Sequence, residues 1–148
     1  MFAAPPVAST PSTPFVWPIR VYYEDTDAAG VVYYANYLKF CERARTEWLR
    51  EAGFTNSALL AERDLAFVVR SVQAEFLASA VLDDALAVHT SLDKIGGASL
   101  TFRQTVLRGD RRLFDARIAI ACINLKTQRP SPLPADVKLH FQPFRSPS

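Results

Sequence analysis

The spacing of hydrophobic and polar residues changes along the chain, and each pattern predicts one kind of element. Residues 15–24 are rich in β-branched and aromatic side chains, which favours a first strand. Between Tyr37 and Glu51, apolar residues recur every three or four positions and charged residues fill the other face. This pattern predicts an amphipathic helix of about 17 residues that ends at Gly53. Residues 55–64 predict a short second helix.

Alternating apolar and polar residues predict four more strands, at residues 66–78, 84–95, 99–108 and 112–126. In the last segment, apolar residues alternate with polar ones as far as Cys122. Beyond it, the apolar residues Ile123 and Leu125 fall on the opposite face of the predicted strand. We therefore expect this strand to be central in the sheet and covered on both faces towards its end. Short glycine-containing links, at residues 96–97 and 109–110, favour hairpins and an antiparallel sheet.

One long helix followed by four consecutive strands predicts an α+β fold, in which an antiparallel sheet of five or six strands curls around the helix. A single sheet of this kind leaves an edge strand and part of one face uncovered. Packing against a second copy of the chain would bury both surfaces, so we expect a homo-oligomer.

Composition is typical of a globular protein with one domain. The chain has 148 residues, of which 49% are apolar and 22% are charged. A net charge of +2 argues against a dedicated nucleic-acid binder, which needs clustered cations. The two cysteines, Cys41 and Cys122, form no CxxC motif and no cluster with histidine. We therefore expect neither a disulfide scaffold nor a metal site.

All ten prolines lie near the two ends of the chain, which places the packed unit between them. We predict a disordered leader at residues 1–14, one domain at residues 15–141 and a disordered tail at residues 142–148. The leader lacks an unbroken apolar run and has no basic residue, so it does not resemble a signal peptide or a membrane anchor. We expect a cytoplasmic protein without an integral membrane segment.

The candidate chemistry lies between the first strand and the long helix, in the segment YYEDTDAAGVVYYANY. Its carboxylates precede small residues and the expected helix start, where unpaired N–H groups and the helix dipole favour an anion. A carboxylate beside such a site could attack a carbonyl or deprotonate water. Asp25 is interpreted as a cap or turn residue and Glu24 as a solvated or paired charge. For Asp27, the residue pattern alone leaves capping and catalysis open.

A family resemblance covers most of the chain. The run FVWPIRVYYEDTDAAGVVYYANYLKFCERARTEWLR resembles the first third of the Tol–Pal-associated, YbgC-type acyl-CoA thioesterases. It continues through LAFVVRSVQAEFLASAVLDD and more weakly to about Pro134. These enzymes belong to the 4-hydroxybenzoyl-CoA thioesterase-like branch of the hotdog fold. The resemblance implies a hotdog sheet paired into a homodimer or homotetramer, and hydrolysis of an acyl-CoA thioester without a separate cofactor, since coenzyme A is part of the substrate.

The same resemblance assigns roles to individual residues. Asp27 matches the catalytic carboxylate, which acts as nucleophile or general base, and the thioester oxygen would meet a backbone N–H near Tyr34. Tyr23 matches an active-site tyrosine, although it could equally be a half-buried strand aromatic. Further substrate contacts are expected at Gly30, Val31 and Tyr33 in the turn, and at Lys94, Gly97 and Ser99 in a loop near the nucleotide end.

Tyr34 departs from the pattern of many relatives, which carry histidine at this position. A phenol with an ordinary pKa of about 10 does not titrate near neutral pH as histidine does. Tyr34 can still donate a hydrogen bond or pack against an acyl group. Because the aryl-CoA branch also carries tyrosine here, the resemblance leaves aliphatic and aromatic acyl groups open.

The remaining candidates are weaker. His89 and His140 are expected to be surface residues or to have structural partners, and both cysteines fall in the apolar phase of their elements. Two other functions remain as alternatives: a hotdog hydratase or dehydratase, and a module that binds acyl-CoA or acyl carrier protein without hydrolysis. Dehydratases usually pair a carboxylate with a histidine, and neither histidine is near the motif in sequence.

Overall fold

The computed structural model describes residues 13–145, and these form an antiparallel sheet of six strands packed against one long helix. The strands are β1 Phe15–Arg20, β2 Leu65–Phe76, β3 Ala85–Ile95, β4 Ser99–Arg108, β5 Arg111–Asn124 and β6 Arg129–Pro130. The α-helices are α1 Asn36–Glu51, α2 Asn56–Arg63 and α3 Ala135–Phe141, and 3-10 turns cover Tyr23–Asp25 and Gln142–Phe144. The strand order is β1-β3-β4-β5-β2, with the short β6 beside β5. The predicted α+β hotdog architecture is confirmed.

Helix α1 has 16 residues and lies across one face of the sheet, against β1, β3 and β4. Its apolar stripe is buried as the periodicity predicted, and Trp48 packs edge-on against Phe102 of β4. The helix ends where Gly53 adopts a φ of +94°, a conformation that costs glycine little. The Phe54 N–H then donates to the Leu49 carbonyl at 3.0 Å, which closes a Schellman motif.

The core lies between α1 and the inward-facing residues of β1, β3, β4 and β5. Cys41 and Cys122 are both buried in it, so the interpretation of these cysteines as core residues is confirmed. Burial raises the pKa of the Cys41 thiol to about 12.

The edge strand β2 is covered much less than the other long strands. It pairs with β5 on one side only, and a register shift between Val69 and Ser71 produces a β-bulge. From Val69 to Phe76 its residues are exposed; Val69 and Phe76 each retain 51% of their accessible surface. An apolar, unpaired edge of this kind is a ready template for another strand.

Three sequence predictions about strand ends are wrong, and one of them is that of β2, which ends at Phe76 instead of residue 78. The first strand ends at Arg20 instead of residue 24, because the Asp25 carboxylate accepts a hydrogen bond from the Tyr22 N–H and bends the chain. Strand β5 is central, as predicted, but Leu125 lies beyond its end and is exposed. There the Asn124 side chain accepts hydrogen bonds from two N–H groups of a turn.

The ordered C-terminal part is longer than the predicted domain. Residues 142–144 form a 3-10 turn, and the Phe144 ring lies 5.6 Å from that of Trp48, so these residues belong to the packed unit. Residues 1–12 of the expected leader (residues 1–14) and residues 146–148 of the expected tail (residues 142–148) lie outside the described residues. Within residues 13–145, no helix is long and apolar enough to cross a membrane.

Candidate active site

Asp27 begins a tight turn between β1 and α1. The Gly30 N–H donates to the Asp27 carbonyl at 3.0 Å, and the Asp27 N–H donates to the Val31 carbonyl at 2.9 Å. Gly30 has a φ of +81°, and no atom lies within 4 Å of the position that a Cβ would occupy there. The Asp27 carboxylate is exposed and accepts one hydrogen bond, from the Ala29 N–H at 2.9 Å. The turn therefore orients this carboxylate and leaves it accessible to a ligand.

Asp25 has the opposite environment, although it is only two residues away. It is 4% exposed, and its carboxylate accepts hydrogen bonds from the Tyr22 N–H at 2.8 Å and the Asn36 side-chain amide at 2.9 Å. Its carbonyl accepts a third from the Tyr33 N–H. Asp25 is thus the turn residue that the sequence predicted, and it connects the turn to the start of α1.

The expected free N–H groups lie just before α1 rather than in its first turn. The N–H groups of Asn36, Tyr37 and Leu38 donate to the carbonyls of Tyr33, Tyr34 and Ala35, three residues earlier in each case. Within residues 13–145, the N–H groups of Tyr34 and Ala35 donate no hydrogen bond. These two N–H groups are available to an oxyanion at the positive end of the helix dipole.

A group of aromatic side chains lies beside Asp27. The rings of Tyr33 and Tyr34 are 4.8 Å apart, and Tyr34 meets Phe76 of β2 edge-on at 5.9 Å. A hydrogen bond with Tyr34 and, to a lesser extent, the charge of Asp27 raise the pKa of Tyr33. Both tyrosines are exposed, and Tyr34 retains 61% of its accessible surface. We call Asp27, Tyr33, Tyr34 and Phe76 the Asp27 cluster.

Tyr23 does not join this cluster. It lies in the first 3-10 turn, is 83% exposed, and among the described residues its ring contacts no other aromatic ring. The alternative of a half-buried strand aromatic is wrong, since β1 ends before Tyr23 and its side chain is exposed. The match to an active-site tyrosine stays a prediction.

The substrate-binding residues expected from the sequence fall into two separate groups. Gly30, Val31 and Tyr33 lie in the turn with Asp27. Lys94, Gly97 and Ser99 lie at the other end of β3, whose 11 residues span roughly 33 Å. Within one protomer, the structure does not bring these two groups together.

A cavity of about 580 Å³ opens at the same end of the sheet as Lys94. Its apolar lining includes Leu49, Leu100, Phe102 and Ile120. Its polar lining comes from α1 and α2: Glu42, Arg45, Thr46, Asn56 and Ser57. Asp27 lies in the turn that precedes the N-terminal end of α1, and it does not line this cavity.

Arg45 is the one cationic residue among those that line the cavity. It is not among the site residues that the sequence patterns indicated. Its Nη1 donates to the Gln104 side-chain oxygen at 2.8 Å, and Gln104 is completely buried. Burial lowers the pKa of Arg45. A signal was present, because Arg45 lies four residues after the buried Cys41 and thus borders the apolar stripe of α1.

Neither histidine lies near Asp27. His89 lies between the buried Val88 and Thr90 on β3, so its side chain points to the outer face of the sheet. Burial lowers its pKa. His140 lies on α3 and packs against the rings of Phe54 and Phe144. Residues 13–145 contain no group of three or more His, Cys, Asp or Glu side chains suited to a metal ion.

Comparison with known proteins gives a consistent family match. A family model described as the thioesterase-like superfamily matches residues 21–141. The chain is 46% identical to the acyl-CoA thioesterase YbgC of Haemophilus influenzae over 127 residues, which are 86% of this chain and 93% of that protein. It is 45% identical to the acyl-CoA thioester hydrolase YbgC of Escherichia coli over 132 residues, which are 88% and 98% of the two chains. The crystal structure of a probable thioesterase from Bartonella henselae is similar with a TM-score of 0.77 and 39% identity, over 80% of this chain and 98% of that one.

Proposed function

The chain belongs to the thioesterase-like superfamily and is a thioester hydrolase, and we propose that it cleaves acyl-coenzyme A into a free acid and coenzyme A. One observation about this chain's own residues supports the proposal beyond the family match. An accessible carboxylate, Asp27, lies in the turn that leads directly to the unbonded N–H of Tyr34. These are the two groups that hydrolysis of a thioester requires, a nucleophile or base and an oxyanion donor.

Asp27 can act in either of two ways. As a nucleophile, its carboxylate oxygen bonds to the thioester carbon, the C–S bond breaks, and coenzyme A leaves as a thiolate that takes a proton from solvent. Water then hydrolyses the acyl-aspartyl anhydride and restores the carboxylate. As a general base, Asp27 takes a proton from a water molecule that attacks the same carbon; the C–S bond then breaks, and the coenzyme A thiolate takes up a proton as Asp27 returns to its carboxylate form. In both routes the Tyr34 N–H stabilises the negative charge that develops on the acyl oxygen.

The proposal includes a homodimer formed through the β2 edges. The exposed edge of β2 carries Val69, Val72 and Phe76, and a second copy of the strand would bury them. In an antiparallel pairing, the Phe76 end of one strand faces the Leu65 end of the partner strand. Because the cavity and the 94–99 loop belong to the Leu65 end, the Asp27 cluster would face both of them across the interface.

This arrangement gives the substrate-binding residues a common site. Lys94, Gly97 and Ser99 would approach the Asp27 cluster from the partner subunit, where they could contact the coenzyme A nucleotide. The acyl group would enter the cavity, whose 580 Å³ is in the range of small-molecule sites. A homotetramer, acyl carrier protein as an alternative carrier, association with the Tol–Pal system and a cytoplasmic location stay predictions from the sequence.

Two alternatives make different predictions. A hydratase or dehydratase would release no thiol, and the distance of both histidines from the Asp27 cluster argues against it. A non-hydrolytic acyl-CoA or acyl-carrier-protein binding module would bind its ligand saturably, also without thiol release.

The proposal is tested by thiol release from short, long and aromatic acyl-CoAs with the full-length protein. We expect catalytic turnover of at least one class, and mass spectrometry should detect the matching free acid. Saturable binding without thiol release from any class would contradict the proposal and support the binding module. Label found in Asp27 after a single turnover in ¹⁸O-labelled water would establish the covalent route with water attack at the aspartyl carbon, since the general-base route labels only the released acid.

A further inference from the structure

The cavity has two chemically different walls. The sheet supplies an apolar wall with Leu100, Phe102 and Ile120. Opposite it, consecutive residues of α1 and α2 supply hydrogen-bonding groups: Arg45, Thr46, Asn56 and Ser57. The Asn56 amide lies 3.5 Å from the Thr46 hydroxyl, so these polar side chains adjoin one another. A site with this lining fits a ligand that is apolar along its length and polar at its end.

Arg45 is the only cationic residue among those that line the cavity, and its charge is not balanced by a close carboxylate. Its one hydrogen-bond partner among the described residues is the neutral amide of Gln104. Within residues 13–145, no carboxylate oxygen lies within 4 Å of its guanidinium. A guanidinium has five N–H donors, so most of the hydrogen-bonding capacity of Arg45 remains available beside the cavity.

Gln104 fixes the position of this guanidinium. Its side-chain nitrogen donates to the Cys41 carbonyl and to the Thr90 hydroxyl, both at 2.9 Å. With both donor hydrogens used inside the core, the Gln104 oxygen is presented to Arg45. The cation is thus held by a completely buried residue and does not move freely like a surface arginine.

We propose that the cavity binds acyl groups that end in a carboxylate, with Arg45 as the residue that recognises the terminal charge. The inference rests on the proposed function, because it names the acyl class that the hydrolase accepts. Arginine matches a carboxylate in geometry and can hold it with two parallel hydrogen bonds. The hydroxyls of Thr46 and Ser57 are further donors in the same wall.

The other charge of the cavity wall does not cancel this preference. Glu42 also lines the cavity, but it is exposed, so water and salt screen its carboxylate. Arg45 is partly desolvated, and burial lowers its pKa even though nearby Glu42 raises it. Because charges interact more strongly where water is partly excluded, the attraction between an incoming carboxylate and Arg45 exceeds its repulsion from the exposed Glu42.

The test compares two acyl-CoAs of equal carbon number, adipoyl-coenzyme A and hexanoyl-coenzyme A, which differ in a terminal carboxylate and a terminal methyl group. We expect the wild-type kcat/KM to be higher for adipoyl-coenzyme A. Removing the cation in Arg45→Met should lower the adipoyl-to-hexanoyl ratio by roughly tenfold to a hundredfold, since hydrogen bonds to charged groups are of that strength. Arg45→Lys should retain part of the preference.

Arg50→Met is the matched control, because Arg50 is an exposed arginine of the same helix that pairs with Glu47 and does not line the cavity. Its substrate ratio should equal that of the wild type. A wild-type preference for hexanoyl-coenzyme A would overturn the inference. So would a folded Arg45→Met protein with the wild-type ratio; if that variant does not fold, the wild-type ratio and Arg45→Lys decide.

Calorimetry with free adipate and free hexanoate separates this inference from the proposed function. We expect adipate to bind the wild-type protein more tightly, and this measurement needs no turnover. If adipate binds more tightly than hexanoate but no thioester is hydrolysed, the proposed function is refuted and the proposed carboxylate site at Arg45 is retained. Hydrolysis with equal or weaker adipate binding would refute the subsite and leave the function.

Discussion

The side-chain amide of Asn36, the first residue of α1, donates a 2.9 Å hydrogen bond to the buried Asp25 carboxylate. This bond connects the helix to the 3-10 turn, and the Tyr22 N–H occupies the other carboxylate oxygen. Asp27 and Tyr34 both lie on the chain segment that this bond closes. The position of the Asp27 carboxylate relative to the Tyr34 N–H therefore depends on the hydrogen bond between Asn36 and Asp25, although that bond involves neither group.

Asn36→Ala tests this dependence. The substitution leaves one oxygen of a buried carboxylate unpaired, which should lower the free energy of unfolding by about 1–3 kcal/mol. Urea unfolding measures this change, and thiol release should fall as well because the turn is less fixed. Lys39→Ala, at an exposed position of the same helix, is the control and should alter stability by less than about 0.5 kcal/mol. Equal stability of the two variants would contradict the role of the pair.

Asp27→Asn should affect catalysis and leave the fold unchanged. The asparagine oxygen can still accept the hydrogen bond from the Ala29 N–H, so the turn is retained. Loss of the carboxylate should lower kcat by roughly 10²–10⁴-fold, the usual contribution of a positioned acid or base. Thiol release and urea unfolding measured on the same preparation separate the two effects. Near-normal turnover by the folded variant would remove Asp27 from the mechanism.

Tyr34→Phe separates the phenol from the backbone of the same residue. The substitution keeps the Tyr34 N–H and the ring contact with Phe76 and removes only the hydroxyl. We expect kcat to remain close to that of the wild type, because the proposed oxyanion donor is the N–H. A fall in kcat of more than about tenfold would instead indicate that the hydroxyl takes part in proton transfer.

Mixed dimers test whether Asp27 and the cavity act across the interface. Asp27→Asn lacks the carboxylate, and Leu60→Trp places a larger ring at the cavity lining, so each homodimer should be poorly active. A dimer with one copy of each variant retains one intact site if Asp27 serves the partner's cavity. We expect tagged and purified mixed dimers to regain activity in thiol release. If both groups served the same protomer, the mixed dimer would be as inactive as its parents.

The two cysteines should not react in the native protein. Cys41 and Cys122 are buried, and burial raises the pKa of both thiols, that of Cys41 to about 12. Thiolate is the reactive form, so a disulfide reagent at neutral pH should modify neither until the protein unfolds. Titration with and without urea checks this expectation. A thiol that reacts in the native protein at the rate seen in urea would contradict the burial.

The sequence by itself determined the elements and the local roles of residues. Periodicity predicted α1, its buried stripe and its end at Gly53, because apolar spacing states which face of an element is covered. Turn chemistry distinguished Asp25 as a structural residue. The residue pattern predicted that the first strand continues four residues beyond its actual end. The hydrogen bond from the Tyr22 N–H to the Asp25 carboxylate bends the chain there, and such a bond leaves no hydrophobic periodicity in the sequence.

Only the tertiary structure decided which distant residues meet. It places Lys94, Gly97 and Ser99 at the opposite end of the sheet from Asp27, and it joins Arg45 to Gln104 across 59 positions of the chain. Strand order and side-chain contacts between remote segments arise from the packing of the whole chain. Hydrophobic periodicity indicates only which face of a single segment is buried, so it cannot predict these contacts.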